Sequence, residues 1–326
     1  MMFSTSVARL TAGLVLAILV AAGSSAVADE FDQYRGEFPN TDFSKLSIQP
    51  GEIVTDGPRR DQIPPIHKPT FVAAADADIG PNEPVIGLVI DGDARAYPLR
   101  ILLWHEIVND TVGGVPVLVS YCPLCNSGVV FDRRLDGRVL SFGNTGRIRH
   151  FDMVMYDLET ESWWQQFLGE AIVGDLTGKR MKPLPARLES VTAFLARAPR
   201  GKLLVPNDPR IRPYGASPYV GFEDENPRAM RVYGLPDGIR PLDRLVIVGD
   251  EAWTMKRLRQ EQVIREGDLE IRWSPGQNSI HDKRSIDRSR DVGNVVVQRD
   301  GVDVPYDVTF AFAHRAFNGI NAVIHE

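Results

Sequence analysis

The chain has 326 residues, 43% hydrophobic and 25% charged, a globular composition that excludes wholesale disorder and a multi-span membrane protein. With 37 Lys+Arg against 43 Asp+Glu the net charge is −6, which argues against a surface built to coat nucleic acid. Two cysteines exclude both a disulfide-stapled mini-domain and a complete four-cysteine zinc site.

Residues 1–28 read as a secretory signal. Arg9 supplies the positive end, the apolar run 10–20 is too short to span a bilayer, and Ala26-Val27-Ala28 offers the small-x-small pattern of a cleavage site. The expected cut follows Ala28 and sends the protein to the periplasm or the exterior, where a CxxC pair is not kept reduced by cytosolic thiols. An uncleaved anchor is the competing reading. No later segment reaches the roughly 20 apolar residues that a span requires, so no transmembrane span is expected in the mature chain.

Residues 29–70 hold six prolines without clear periodicity and predict an extended arm over the domain. From 71 the pattern alternates. Stretches 85–91 and 94–99 flank an Asp91-Gly92 turn, and 128–135 and 139–142 flank Asp136-Gly137, both hairpin signals. Between them, 99–108 carries apolar residues at helical spacing, followed by a buried-strand run at 115–121. A second helix is expected at 190–198, with Ser190 as N-cap and Pro199 beyond its end. Stretch 199–241 contains eight prolines and predicts a long excursion. Strand patterning resumes at 244–248, returns at 295–298 before an Asp300-Gly301 turn, and ends at 309–312.

The strand-rich stretches at about 83–142 and 243–305 resemble each other. Val85-Ile-Gly-Leu-Val-Ile-Asp91 parallels Leu245-Val-Ile-Val-Gly249, and Glu106-Ile-Val-Asn-Asp110 parallels Gln262-Val-Ile-Arg-Glu266. Gly128-Val-Val-Phe131 likewise matches Asn294-Val-Val-Val297, with a chance likeness of strands as the alternative. The expected fold is mainly β, α+β with few short helices, in one compact β-rich domain over 71–326 built from two related halves. Only the first half carries the cysteines.

Chemistry concentrates at Tyr121-Cys-Pro-Leu-Cys-Asn-Ser-Gly128. A bridge between Cys122 and Cys125 closes almost no loop and so makes a poor staple, which leaves a redox dithiol, a metal-ligand pair or an inert pair. A helix N-terminus that would lower a thiol pKa is missing, because 128–133 reads as a strand. The Cys-Pro-x-Cys turn is closer to a metal knuckle, which supplies half of a tetrahedral site. His105 and His314 are the candidates to complete it, with His281 loosely opposite; each alone is more often a hydrogen-bonded histidine. Met153 and Met155 are soft donors that equally suit a core.

Downstream, Gly143, Asn144 and Gly146 suit a tight turn, and Arg147 and Arg149 are candidates to face an anionic substrate. Adjacent Trp163 and Trp164 point to opposite faces of a strand, so one is expected in the core and the other, with Gln165, along a cleft that a sugar ring would stack on. There is no GxSxG, HExxH or P-loop lysine.

Tyr-Cys-Pro-Leu-Cys (121–125), Phe-Gly-Asn-Thr-Gly (142–146), Met-Tyr-Asp (155–157), Glu-Ser-Trp-Trp-Gln-Gln (161–166) and Gly-Glu-Ala-Ile-Val-Gly (169–174) together resemble the bacterial DUF3179 family. The resemblance runs from about residue 70 to the C-terminus. It implies an exported β-rich domain centred on the CPLC and Trp-Trp-Gln blocks and brings no reaction with it.

Two readings lead. The first is a thiol oxidoreductase in which Cys122 attacks and Cys125 resolves, its thiolate stabilised by Arg147, Arg149 or His105. The alternative is a metal-binding module holding copper(I) or zinc(II) on both thiolates, with His105 or His314 completing the shell. A non-enzymatic ligand- or carbohydrate-binding domain is third.

Overall fold

The computed structural model describes residues 31–54, 56–224, 234–319 and 322–326. The expected signal segment and its cut after Ala28 lie outside the described residues. Strands hold 40% of residues and helices 16%, so the chain is mainly β, with its sheets set in a propeller-like ring of five blades. Among the described residues no helix is long and apolar enough to cross a membrane.

Local signals explain the hairpins. Asp91-Gly92, Asp136-Gly137 and Asp300-Gly301 all take positive φ at both residues, 48 and 80, 49 and 77, 47 and 79 degrees. That is the type I′ conformation whose twist matches antiparallel strands. The first turn joins Pro84–Ile90 to Asp93–Pro98, and the helix Leu99–His105 follows directly. The predicted helix over 99–108 stops three residues early because Glu106 turns left-handed, φ 57, and Ile107–Val112 continues as a strand. Apolar spacing could not mark that end, since the run serves both elements. The second predicted helix is Val191–Arg197, capped by the Ser190 side chain on the Ala193 amide at 3.2 Å.

The two strand-rich stretches run through the same order of elements. In the second, Arg244–Val248, Glu251–Thr254, the helix Met255–Glu261, Val263–Glu266, Leu269–Ser274 and Asn294–Arg299 repeat the sequence strand, strand, helix and three strands. Gln262 ends its helix as Glu106 does, with φ 61 and ψ −28. Each stretch also closes with a strand, a helix and a strand laid parallel to the second strand of its hairpin: Arg187–Ser190 to Lys202–Val205, and Asp307–Phe310 to Val323–His325. Three elements correct the reading above. Stretch 199–241 is not all excursion, since Lys202–Val205 lies inside a sheet. The helix Met255–Glu261 was not foreseen. The last strand expected at 309–312 is Asp307–Phe310, and the helix Ala311–Asn318, which holds His314, follows it at once.

A five-stranded sheet, Ile53–Val54, Phe142–Arg149, Asp152–Asp157, Trp163–Gln165 and Glu170–Val173, interrupts the first stretch and has no counterpart among the described residues of the second. Asn109 clamps it to the cysteine-bearing sheet: its side-chain oxygen accepts from the Phe142 amide and its side-chain nitrogen donates to the Phe142 carbonyl, both at 2.8 Å. On its outer side the N-terminal arm does more than lie across the domain. Phe31, Tyr34, Phe38 and Phe43 bury themselves around Trp163 and form a core of their own. A larger core joins the two stretches through Tyr97, Leu102 and Val119 on one side and Val246, Ile271 and Val297 on the other.

Gln262 is exposed and pays the cost of a side chain in the left-handed region. Gln262→Gly is therefore expected to raise stability by ~0.5–1 kcal/mol in chemical denaturation.

Candidate functional site

The strand Val115–Cys122 runs antiparallel to Ser127–Asp132, and the turn 123–126 between them carries the second cysteine. Asn126 adopts the left-handed position that closes so short a connection, φ 57. Its amide donates to the Val308 carbonyl at 2.6 Å and its oxygen accepts from the Tyr121 hydroxyl at 2.9 Å. The Cys125 carbonyl accepts from the Phe310 amide at 3.0 Å and the Thr309 hydroxyl at 2.5 Å. His281 Nε2 donates to the Pro123 carbonyl at 2.8 Å. Every one of these anchors except Tyr121 comes from the second stretch.

Both sulfurs are free thiols and buried, and they meet a carboxylate. The two Sγ atoms and an Asp152 oxygen lie within 4.8 Å of one another. Cys125 Sγ donates to Asp152 Oδ1 at 3.1 Å, while Oδ2 accepts from Gln165 Nε2 at 2.6 Å and the Phe167 amide at 2.9 Å. Gln165 Oε1 in turn accepts from Arg149 Nη1 at 3.2 Å, and Arg149 pairs with Glu52 at 2.7 Å.

Electrostatics run against a free thiolate. Burial pushes Cys125 well above its ordinary value and raises Cys122, with the Asp152 carboxylate adding to both. Burial raises Asp152 as well, and pushes Glu106 up to about 7. Among the described residues the expected support from arginines and imidazoles is absent. Arg147 spends its guanidinium on the Pro58 carbonyl and lies over the Tyr34 ring, and Arg149 reaches Asp152 only through Gln165. His281 is held neutral, burial pushing it down to about 3.

Neither histidine proposed as a ligand reaches the sulfurs. His105 binds the Pro64 carbonyl through Nδ1 and the Tyr214 hydroxyl through Nε2, both at 2.8 Å, so both ring nitrogens are engaged. His314 is buried in its helix with Nδ1 2.9 Å from the Asn318 amide nitrogen. Trp163 and Trp164, expected to divide between core and cleft, are both fully buried. Trp164 donates to Asp157 at 2.9 Å, whereas the Trp163 indole N–H has no partner among the described residues. Burying such a ring is worth ~4–6 kcal/mol, more than the ~1–3 kcal/mol of one unmade hydrogen bond, so the aromatic arm wins and no stacking platform forms.

A cavity of about 240 Å³ adjoins the cysteines, with Cys122, Glu106, Asn144, Met153 and Tyr219 in its wall; Cys125 and Asp152 lie behind it. Sequence reasoning missed Asp152 and Glu106. The usable signal for Asp152 was an acid opening a strand, Asp152–Asp157, whose other residues read as core and which is buried along its whole length. Glu106 gave none beyond its match to Gln262.

A family model described as a protein of unknown function, DUF3179, matches residues 60–320, and the chain belongs to that family. No curated protein and no solved structure matches the chain.

One titration near the site is testable. Asp307 accepts from the Ser127 hydroxyl at 2.5 Å and the Gly128 amide at 3.1 Å, stitching the second stretch to the cysteine hairpin, and burial pushes it up to about 6. An unfolded aspartate titrates near ~4, so the native state holds this proton more tightly. Its contribution is full below about pH 4 and is lost as pH rises through about 6. Asp307→Asn is expected to flatten that part of the fall in urea midpoint across this window; an unchanged pH profile contradicts the assignment.

Proposed function

We propose that the protein is an exported metal-binding module that holds a soft or borderline cation on Cys122, Cys125 and Asp152. The observation that carries this reading is the cluster itself: two sulfurs and a carboxylate oxygen within 4.8 Å, all buried, with no ion pair to Asp152 among the described residues. Burial raises the pKa of all three acidic groups and so disfavours their charged forms. A cation supplies the missing charge and drives the protons off. A carboxylate beside two thiolates favours zinc(II), which accepts oxygen ligands alongside sulfur, over copper(I), which prefers sulfur. The imidazole once expected in the shell is replaced by Asp152. Export rests on the N-terminal signal pattern; the mature form is expected to begin at Asp29, and N-terminal sequencing that finds Met1 or Met2 contradicts it.

The reduced chain is expected to bind one zinc ion with release of protons, measured by calorimetry in buffers of different ionisation heat. Asp152→Asn should weaken binding by at least about tenfold, and Cys125→Ser by more.

A dithiol reading has one observation in its favour. Cys122 faces the cavity while Cys125 sits behind it on a carboxylate able to take its proton, the arrangement of an attacking and a resolving thiol. Cys125→Ser separates the two: lost zinc with a native circular dichroism spectrum supports the metal site, and a stable mixed disulfide on Cys122 supports exchange.

A further inference from the structure

Glu106 is 7% exposed, and among the described residues only one of its two carboxylate oxygens has a partner. Asn144 Nδ2 donates to Oε2 at 2.6 Å; Oε1 accepts no hydrogen bond among the described residues, although the side chain stands in the wall of the 240 Å³ cavity. Much of the remaining wall is hydrocarbon, from Val54, Ile63, Leu124 and Ile148. Arg147 and Asp56 also line it, but the Arg147 guanidinium is committed to the Pro58 carbonyl and lies 3.5 Å from Glu37, and Asp56 has a partner of its own.

A carboxylate oxygen in such surroundings is costly without a donor, and a cationic donor relieves that cost most. Hydrocarbon walls add affinity only for a ligand with an apolar body. A hydrated metal ion satisfies the first demand and wastes the second.

We propose that this cavity binds a small primary ammonium ligand with a short apolar tail, the ammonium donating to Glu106 Oε1 and the tail lying among Val54, Ile63, Leu124 and Ile148. The site borders the metal reading at Cys122, which lines the cavity, but Cys125 and Asp152 do not, and its anchor is Glu106, outside the proposed ligand set. It needs the carboxylate that the second stretch lacks, where the matching position holds Gln262.

The test is calorimetric titration of the reduced, metal-free full chain with n-butylamine, n-butanol and butanoate, three probes of similar size. Butylamine is expected to bind at least about tenfold more tightly than butanol, and butanoate not at all. Glu106→Gln should remove the advantage of the amine and leave the butanol affinity in place. Ile63→Trp, which fills the cavity and leaves Glu106 in place, should abolish both, while the butanol affinity kept by Glu106→Gln shows that variant to be folded. Equal affinities for amine and alcohol, heat from neither, or an amine preference that survives in Glu106→Gln overturns the proposal. Zinc uptake that Glu106→Gln abolishes, in a chain that ignores the amine, also overturns it.

Discussion

The turn 123–126 has no conformational freedom of its own, and the candidate site depends on that. The Pro123 carbonyl is held by His281, the Cys125 carbonyl by Thr309 and Phe310, and the Asn126 side chain by Val308. These are buried polar contacts, where a satisfied network rigidifies and a broken one is expensive. They reach the hairpin from the other half of the chain. The Cys125 sulfur is therefore positioned largely by sequence-distant strands, through contacts to the turn that carries it.

His281 shows how such positioning works. Because Nε2 donates to Pro123, that nitrogen carries the proton, and Nδ1 is left as the acceptor facing Arg244 at 3.5 Å. Burial beside Arg244 keeps the ring neutral, so the contact does not change through the physiological range. An imidazole near two thiols invites a reading as base or ligand; here it acts on a carbonyl.

Local features of the fold were legible because their causes are local. Asp-Gly pairs announce their turns wherever they occur, and Ser190 caps its helix with no help from tertiary structure. The end of the first helix was illegible because Ile107 and Val108 are as apolar as the residues before them, and only a left-handed Glu106 divides helix from strand. At the site, the cysteines stood out by spacing, and Arg149 and Gln165 belong to its surroundings through Asp152. His105 and the tryptophans failed for one reason. Their roles depend on which face is covered, and the covering layers come from the arm, the Pro-rich segment and the second stretch, none of which is adjacent in sequence. Asp152 was hidden by the same fact, since a lone acid on a strand reads as solvent-facing until a second layer buries it.

The close approach at Gly146 has a mechanical meaning. This residue bulges out of the register between Phe142–Arg149 and Asp152–Asp157 with φ 75, and a Cβ there would collide with the carbonyls of Pro58 and Arg59. Pro58 lines the cavity beside Cys122, and the same arm carries the aromatic residues that seal Trp163. The missing methyl group thus behaves as a latch seat. Adding it would prise the arm from the sheet at one point, and that strain would be felt both in the aromatic seal and at the cavity mouth. A chain so altered would leak solvent to the sulfurs while every residue touching them stayed the same.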